Sequence, residues 1–153
     1  MYSREEVKKL KEEFWTTFGQ YMVGIASSDS EKINWVNYKT GIKQLYFRMD
    51  ASNKSAIIMI EMTHPDQGIR ALLYAQFEEL RPILQDTLGE EWGWYPEYYD
   101  DYGKETARIV CTLDKVSVFK KEDWPKLISF LKPRIIALDE FWSTAKYAFD
   151  IFK

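Results

Sequence analysis

The sequence predicts an α+β fold: an N-terminal helix, then two units that each run from a β-hairpin or meander into a helix, with a mainly antiparallel sheet packed by the helices. Three observations predict it. Apolar residues recur at helical spacing behind a helix-start signal near the N-terminus. Short stretches of period-two alternation follow, joined by turn residues as hairpins require. Each strand group then leads into a longer run of helical period. A single domain of 153 residues is long enough to bury about 70% of the surface its unfolded chain exposes.

Ser3 reads as an N-cap and Glu6 completes a capping box; Val7, Leu10, Phe14, Phe18 and Tyr21 then mark one face of a helix from about Arg4 to Met22. Gly24 and the polar Ser27–Glu31 segment end it in a loop. Trp35–Tyr38 is expected to lead through a Lys39-Thr40-Gly41 hairpin turn, with Gly41 at positive φ, into a strand over Gln44–Asp50. In that strand Leu45, Phe47 and Met49 alternate with Tyr46, Arg48 and Asp50. Ala51–Ser55 is a polar turn, and the almost wholly apolar Ala56–Thr63 reads as a central strand. Thr63-His64-Pro65-Asp66 starts a helix, with Thr63 as the cap and Asp66 as the returning acid. Ile69, Leu72, Leu73, Phe77, Leu80 and Leu84 form its expected buried face, Pro82 ends or kinks it near Arg81, and Gly89 closes it.

The second half repeats the plan. Trp92–Tyr98, Glu105–Leu113 and Lys115–Phe119 read as strands or near-strands, with a tight turn over Asp100–Gly103. Asp123-Trp124-Pro125 opens a helix, and Pro133 is expected to start or kink a second one reaching about Phe152. Gly41 to Asp50 and Gly103 to Asp114 both run from a turn glycine through a strand to an aspartate. An internal duplication and the general grammar of hairpins account for this echo equally.

Composition narrows the function classes. Hydrophobic residues at 46% and charged residues at 29% are the balance of a soluble globular protein. The surplus is aromatic, with 6 Trp, 10 Tyr and 9 Phe, which suits a thick core, an oligomer interface or a stacking platform. A net charge of -3 opposes broad nucleic-acid binding, although a local basic groove is compatible with it. One cysteine, Cys111, makes an intrachain disulfide impossible and reads as a buried, inert thiol. The charged N-terminus carries no signal-peptide pattern, and no apolar run reaches the ~18 residues of a spanning helix. The expectation is a cytoplasmic protein with no membrane association.

Candidate chemistry concentrates on the second strand-like stretch. Pairing Tyr46 opposite Glu61 puts Tyr46, Arg48 and Asp50 on one sheet face with Ile57, Met59 and Glu61, and brings Arg48 within diagonal reach of Glu61. That arrangement serves either as an ion pair steadying a hairpin or as a polar pocket in which Arg48 engages an anion. Lys39-Thr40-Gly41 lacks the glycines of a phosphate loop and reads as a turn, or as a loop tip presenting Tyr38, Lys39 and Lys43 to a partner. The order also permits a nuclease-like reading, with Asp50, Glu61 and Glu13 as metal-binding carboxylates. Thr63, however, stands where such a site needs a lysine. His64, the sole histidine, reads as a cap-region residue, and no cofactor motif is present. Five aromatics in Trp92–Tyr99 cannot all face one core from a strand, which favours a homodimer; their acidic neighbours oppose a nucleic-acid partner. Lys132 and Arg134 stand where they could flank an anion site at a second helix start.

Trp35-x-Asn37-Tyr38-Lys39-Thr40-Gly41-Ile42-Lys43, Tyr46-Phe47-Arg48-Met49-Asp50, Asp123-Trp124-Pro125 and the run from Lys132 to Trp142 resemble the signature of a bacterial domain family of unknown function. The resemblance spans nearly the whole chain. Such domains occur alone or at the C-terminus of longer chains with predicted nuclease-like regions. The resemblance therefore implies an accessory role in defence or nucleic-acid metabolism and supplies no catalytic residues. The combined expectation is a noncatalytic binding or assembly module that takes a protein or an anionic ligand through Tyr38, Lys39, Lys43, Tyr46 and Arg48. The alternative is a metal-dependent nuclease-like enzyme using Asp50 and Glu61.

Overall fold

The computed structural model describes residues 2–153. It is α+β, with the order α1 (Arg4–Met22), β1 (Leu45–Ala51), β2 (Ser55–Met62), α2 (Gln67–Glu79), α3 (Arg81–Leu88), β3 (Gly93–Tyr99), β4 (Glu105–Asp114) and α4 (Trp124–Ala145). Short 3-10 turns at Lys121–Asp123 and Lys146–Phe152 bracket α4.

The sheet is antiparallel throughout, in the order β1-β2-β4-β3, so each hairpin keeps its strands adjacent and the second strands of the two hairpins meet at the centre. All helices lie on one side. Phe47 and Ile60 face them, and Phe14, Phe77, Leu131, Leu138 and Phe141 join the same buried core. Trp142 meets Phe47 edge-on with ring centroids 5.5 Å apart and stacks on Phe77 at 6.4 Å. The other sheet face carries Tyr46, Arg48 and Asp50 from β1, Met59 and Glu61 from β2, Thr106 and Arg108 from β4, and Tyr95 and Tyr98 from β3. An antiparallel sheet can leave one face to solvent in this way because its hairpins need no crossover helices there.

Helix α1 has the expected limits, and its capping box forms through Ser3 and Glu6. Tyr21, however, is exposed; Phe14, Phe18 and Met22 define the buried stripe. Trp35–Tyr38 is not a strand, because among the described residues β1 takes β2 as its only neighbour and residues 23–44 form an irregular layer instead. Gly41 does adopt φ 83°, although in this loop rather than in a hairpin. The α2 cap is Asp66, which accepts from the Ile69 amide at 3.0 Å; Thr63 is used as backbone, donating to the Gln44 carbonyl at 2.9 Å. Ile69 and Leu72 are exposed, and Arg70, Leu73, Tyr74 and Phe77 are the residues buried. Pro82 separates α2 from α3 as its missing N–H requires, and Gly89 caps α3 at φ 70°.

Two further expectations fail. Lys115–Phe119 forms no strand: Lys115 turns at φ 61°, and the Val116 and Val118 amides bond back to the Lys54 and Ser52 carbonyls in the β1–β2 turn. The second helix start expected as one alternative at Pro133 is absent, since Pro133 lies inside one continuous α4. Among the described residues no helix is long and apolar enough to cross a membrane.

Candidate functional site

The open sheet face holds an arginine pair built around one carboxylate. Tyr46 stands opposite Glu61 on β2, and Glu61 stands opposite Arg108 on β4, so one row crosses three strands. Glu61 is 3% exposed. Its Oε1 takes Arg48 Nη1 at 3.0 Å and its Oε2 takes Arg108 Nη2 at 2.7 Å. Each guanidinium also covers a tyrosine ring 4.0 Å away, Arg48 over Tyr46 and Arg108 over Tyr98. The ion pair read from the strand register is therefore present, and β4 adds a second arginine to it.

A groove of about 340 Å³ runs over this cluster, rimmed by Asp100, Asp101, Tyr102 and Lys104 from the β3–β4 turn. Its floor has an excess of donors. Glu61 is charge-paired by both guanidiniums, while Arg108 Nε has no hydrogen-bond partner among the described residues and Arg48 is half exposed. Asp100 Oδ1 is committed to the turn, accepting from the Tyr102 and Lys104 amides at 2.9 Å each. Two positive groups fixed by one carboxylate, with Arg48 half exposed, suit a carboxylate or phosphate acceptor.

The five residues expected to form one recognition surface do not gather. Tyr46 and Arg48 lie on the open face. Tyr38 and Lys39 line a separate cavity of about 350 Å³ on the helix side, between the 27–40 loop and the C-terminal half of α4. Lys43 is exposed on the loop before β1. The division follows from strand geometry: the Tyr38 ring stacks on Phe47 at 5.3 Å, and Phe47 points opposite to its neighbours Tyr46 and Arg48. At the back of the cavity Tyr38 donates to Asp139 Oδ1 at 2.5 Å, and the Ser28 amide donates to Oδ2 at 2.8 Å. Burial first, and then Asp139, lift the Tyr38 phenol far above its ordinary value, so it acts as a fixed donor.

The three candidate metal carboxylates also lie apart. Asp50 is opposite Ile57, four positions along β1 from the Tyr46–Glu61 row, or roughly 13 Å. Its Oδ1 accepts from the Ala51 amide. Glu13 sits on α1 and pairs with Lys121 at 3.4 Å. Among the described residues no three His, Cys, Asp or Glu side chains form a metal-binding group. His64 Nδ1 accepts from the Asp66 amide at 3.0 Å, the cap-region role expected of it. Arg134 flanks no helix start: it forks onto Glu90, with Nε to Oε1 at 2.7 Å and Nη2 to Oε2 at 3.0 Å. Cys111 is half-buried beside Glu90, and burial raises its thiol pKa.

A family model described as a domain of unknown function, DUF4268, matches residues 10–146. The chain belongs to that family. No curated protein and no solved structure matches it. In this DUF4268 domain two of the sequence stretches singled out above meet in space: Asn37, Tyr38, Lys39 and Thr40 from the first face Asp139 and Trp142 from the last across the helix-side cavity. The Trp142 indole ties them together by donating to the Thr40 carbonyl at 2.9 Å.

Two residues of these sites went unread in the sequence. Asp139 left a signal, a charged residue inside the otherwise apolar phase of Ile135, Leu138, Phe141 and Trp142. Arg108 had only its alternation with Ala107 and Ile109, because nothing local says that β4 rather than another strand borders β2.

Proposed function

We propose that this DUF4268 domain is a noncatalytic binding or assembly module whose recognition surface is the open sheet face, with Arg48 and Arg108 engaging an anionic group on the partner. The observation that supports this reading is the arginine pair itself: both guanidiniums are oriented before binding by one buried glutamate and by stacking on Tyr46 and Tyr98. Orientation before binding reduces the ordering cost that flexible arginines would otherwise incur. An accessory role in bacterial defence or nucleic-acid metabolism is the setting that the motif resemblance suggests for such a module.

The test is an NMR titration with short probes bearing a carboxylate or a phosphate, an acidic peptide and a phosphoserine peptide. Saturable shifts at Tyr46, Arg48 and Arg108 that vanish in a folded Arg48→Ala variant are expected. Binding unchanged in that variant would remove the proposed surface. Divalent-metal-dependent cleavage of DNA or RNA, abolished by Glu61→Ala, would overturn the noncatalytic assignment.

Self-association belongs to the same reading. Tyr95, Tyr98 and Tyr99 are exposed on β3, an edge strand, and Tyr102 is exposed at its turn. Pro96 and the register shift between Tyr95 and Tyr98 blunt that edge against strand addition, so a dimer would use ring surfaces rather than a continued sheet. A sedimentation profile that stays monomeric at high micromolar concentration would exclude it.

A further inference from the structure

The helix-side cavity is not used by that reading, and its lining carries one more carboxylate than ammoniums. We propose that it is a second binding site, one that takes a small organic cation through a primary ammonium or guanidinium group. Its volume of about 350 Å³ is in the range of small-molecule sites, roughly 300–1,000 Å³.

The back wall decides the ligand class. Asp139 is 5% exposed, and among the described residues no cation lies within salt-bridge distance of it. A carboxylate offers about four acceptor positions, and the Tyr38 hydroxyl and Ser28 amide are the neutral donors recorded on it. Buried charges are ordinarily paired, so this carboxylate has acceptor capacity and a charge that the fold leaves uncompensated. The walls beside it are aromatic. Trp142 and Tyr38, which line the cavity, have already committed their polar hydrogens, to Thr40 and Asp139, and among the described residues no three His, Cys, Asp or Glu side chains form a metal-binding group, which favours an organic cation over a metal ion.

The rim is balanced. Asp29 and Glu31 face two ammoniums, Lys39 and Lys146, and Lys146 is held by Asp29 at 3.1 Å, so the carboxylate in excess is Asp139 at the back. An anion entering the cavity would meet Asp139; a neutral guest would leave its charge unpaired. A cation removes both penalties.

The experiment is an NMR titration of the full chain with n-butylammonium and methylguanidinium, reading the Trp142 indole N–H, with acetate, butyramide and magnesium as controls. Saturable shifts with the two organic cations alone are expected. Asp139→Asn should weaken them at least tenfold. Because that buried position could compromise folding, two exposed rim variants provide an independent sign test. Glu31→Gln should weaken binding by about threefold, and Lys39→Met should tighten it by a similar factor. Reversed signs at the rim would overturn the proposal. A response to acetate, butyramide or magnesium in place of the organic cations would also overturn it, as would silence of both cations up to tens of millimolar.

Discussion

Glu61 and its two arginines show how burial rather than charge count sets the importance of a residue. Arg48 is 47% exposed, so water replaces much of what it loses, whereas Glu61 at 3% and Arg108 at 14% have no such recourse. Glu61→Ala should therefore cost about 3–5 kcal/mol, against about 1 kcal/mol or less for Arg48→Ala. Urea unfolding measures both, and equal costs would contradict the geometry. Tyr38 is a second case, since its hydroxyl is one of two donors recorded on a buried carboxylate. Tyr38→Phe should destabilise by about 1–3 kcal/mol. Its raised pKa means that this contribution is fully present below 10.0, the phenol's ordinary value, and is lost only as the pH rises beyond it. The Arg48–Glu61 contact was legible because both residues follow a strict period of two on a single hairpin. The Tyr38–Asp139 contact was not, because it joins positions 101 residues apart in the chain.

Helix α4 is where local signals misled most. A proline at position 133 usually marks a boundary, yet α4 runs through it, because Phe130, Leu131, Ile135, Leu138, Phe141 and Trp142 bury one continuous stripe against the sheet and α3. That packing outweighs a lost backbone hydrogen bond and a ring clash worth about 3 kcal/mol. Pro133 is exposed, so Pro133→Ala opens no cavity and should stabilise the protein by about 1–3 kcal/mol in thermal or urea unfolding. A destabilised variant would mean that the packing of α4 depends on a bend at that point. The loop over residues 23–44 presents the reverse case. Its Trp35–Tyr38 stretch has strand-like composition, but Trp35 points inward to donate from its indole to the Ile25 carbonyl at 3.0 Å, and among the described residues no strand pairs with the open edge of β1. Composition reports that such residues will be buried; it does not report whether a ladder or a loop buries them.

The whole molecule has two chemically distinct sides, a donor-rich sheet face and an acid-lined cavity, separated by the thickness of the sheet and the loop that covers part of its inner face. The Glu90–Arg134 fork secures the chain entering β3 to α4, and it titrates. Burial raises the Glu90 pKa, but hydrogen bonds from Arg134 and Trp92 outweigh it and hold the carboxyl below its ordinary 4.5. A depressed carboxylate contributes stability above its unfolded pKa and loses it as the pH falls through the folded value. Glu90→Gln should therefore lower the melting temperature at pH 7, and the gap from wild type should close as the pH falls below 4.5. A gap that persists at pH 3 would assign the effect to packing around Trp92 instead.

By itself the sequence determined the α+β class, the limits of α1, the β1–β2 hairpin and the breaks at Pro82 and Gly89. Each of these rests on contacts or backbone restrictions within a few residues or one hairpin. Only the tertiary structure decided that β2 borders β4, which adds Arg108 to Glu61 and so turns a hairpin ion pair into a three-strand cluster. It alone also turned Tyr38 and Lys39 away from Tyr46 and Arg48 and set them against Asp139. The physical reason is the same in both cases. Side chains alternate across a strand by local geometry, but what each face meets depends on which distant elements have apolar surface to bury there.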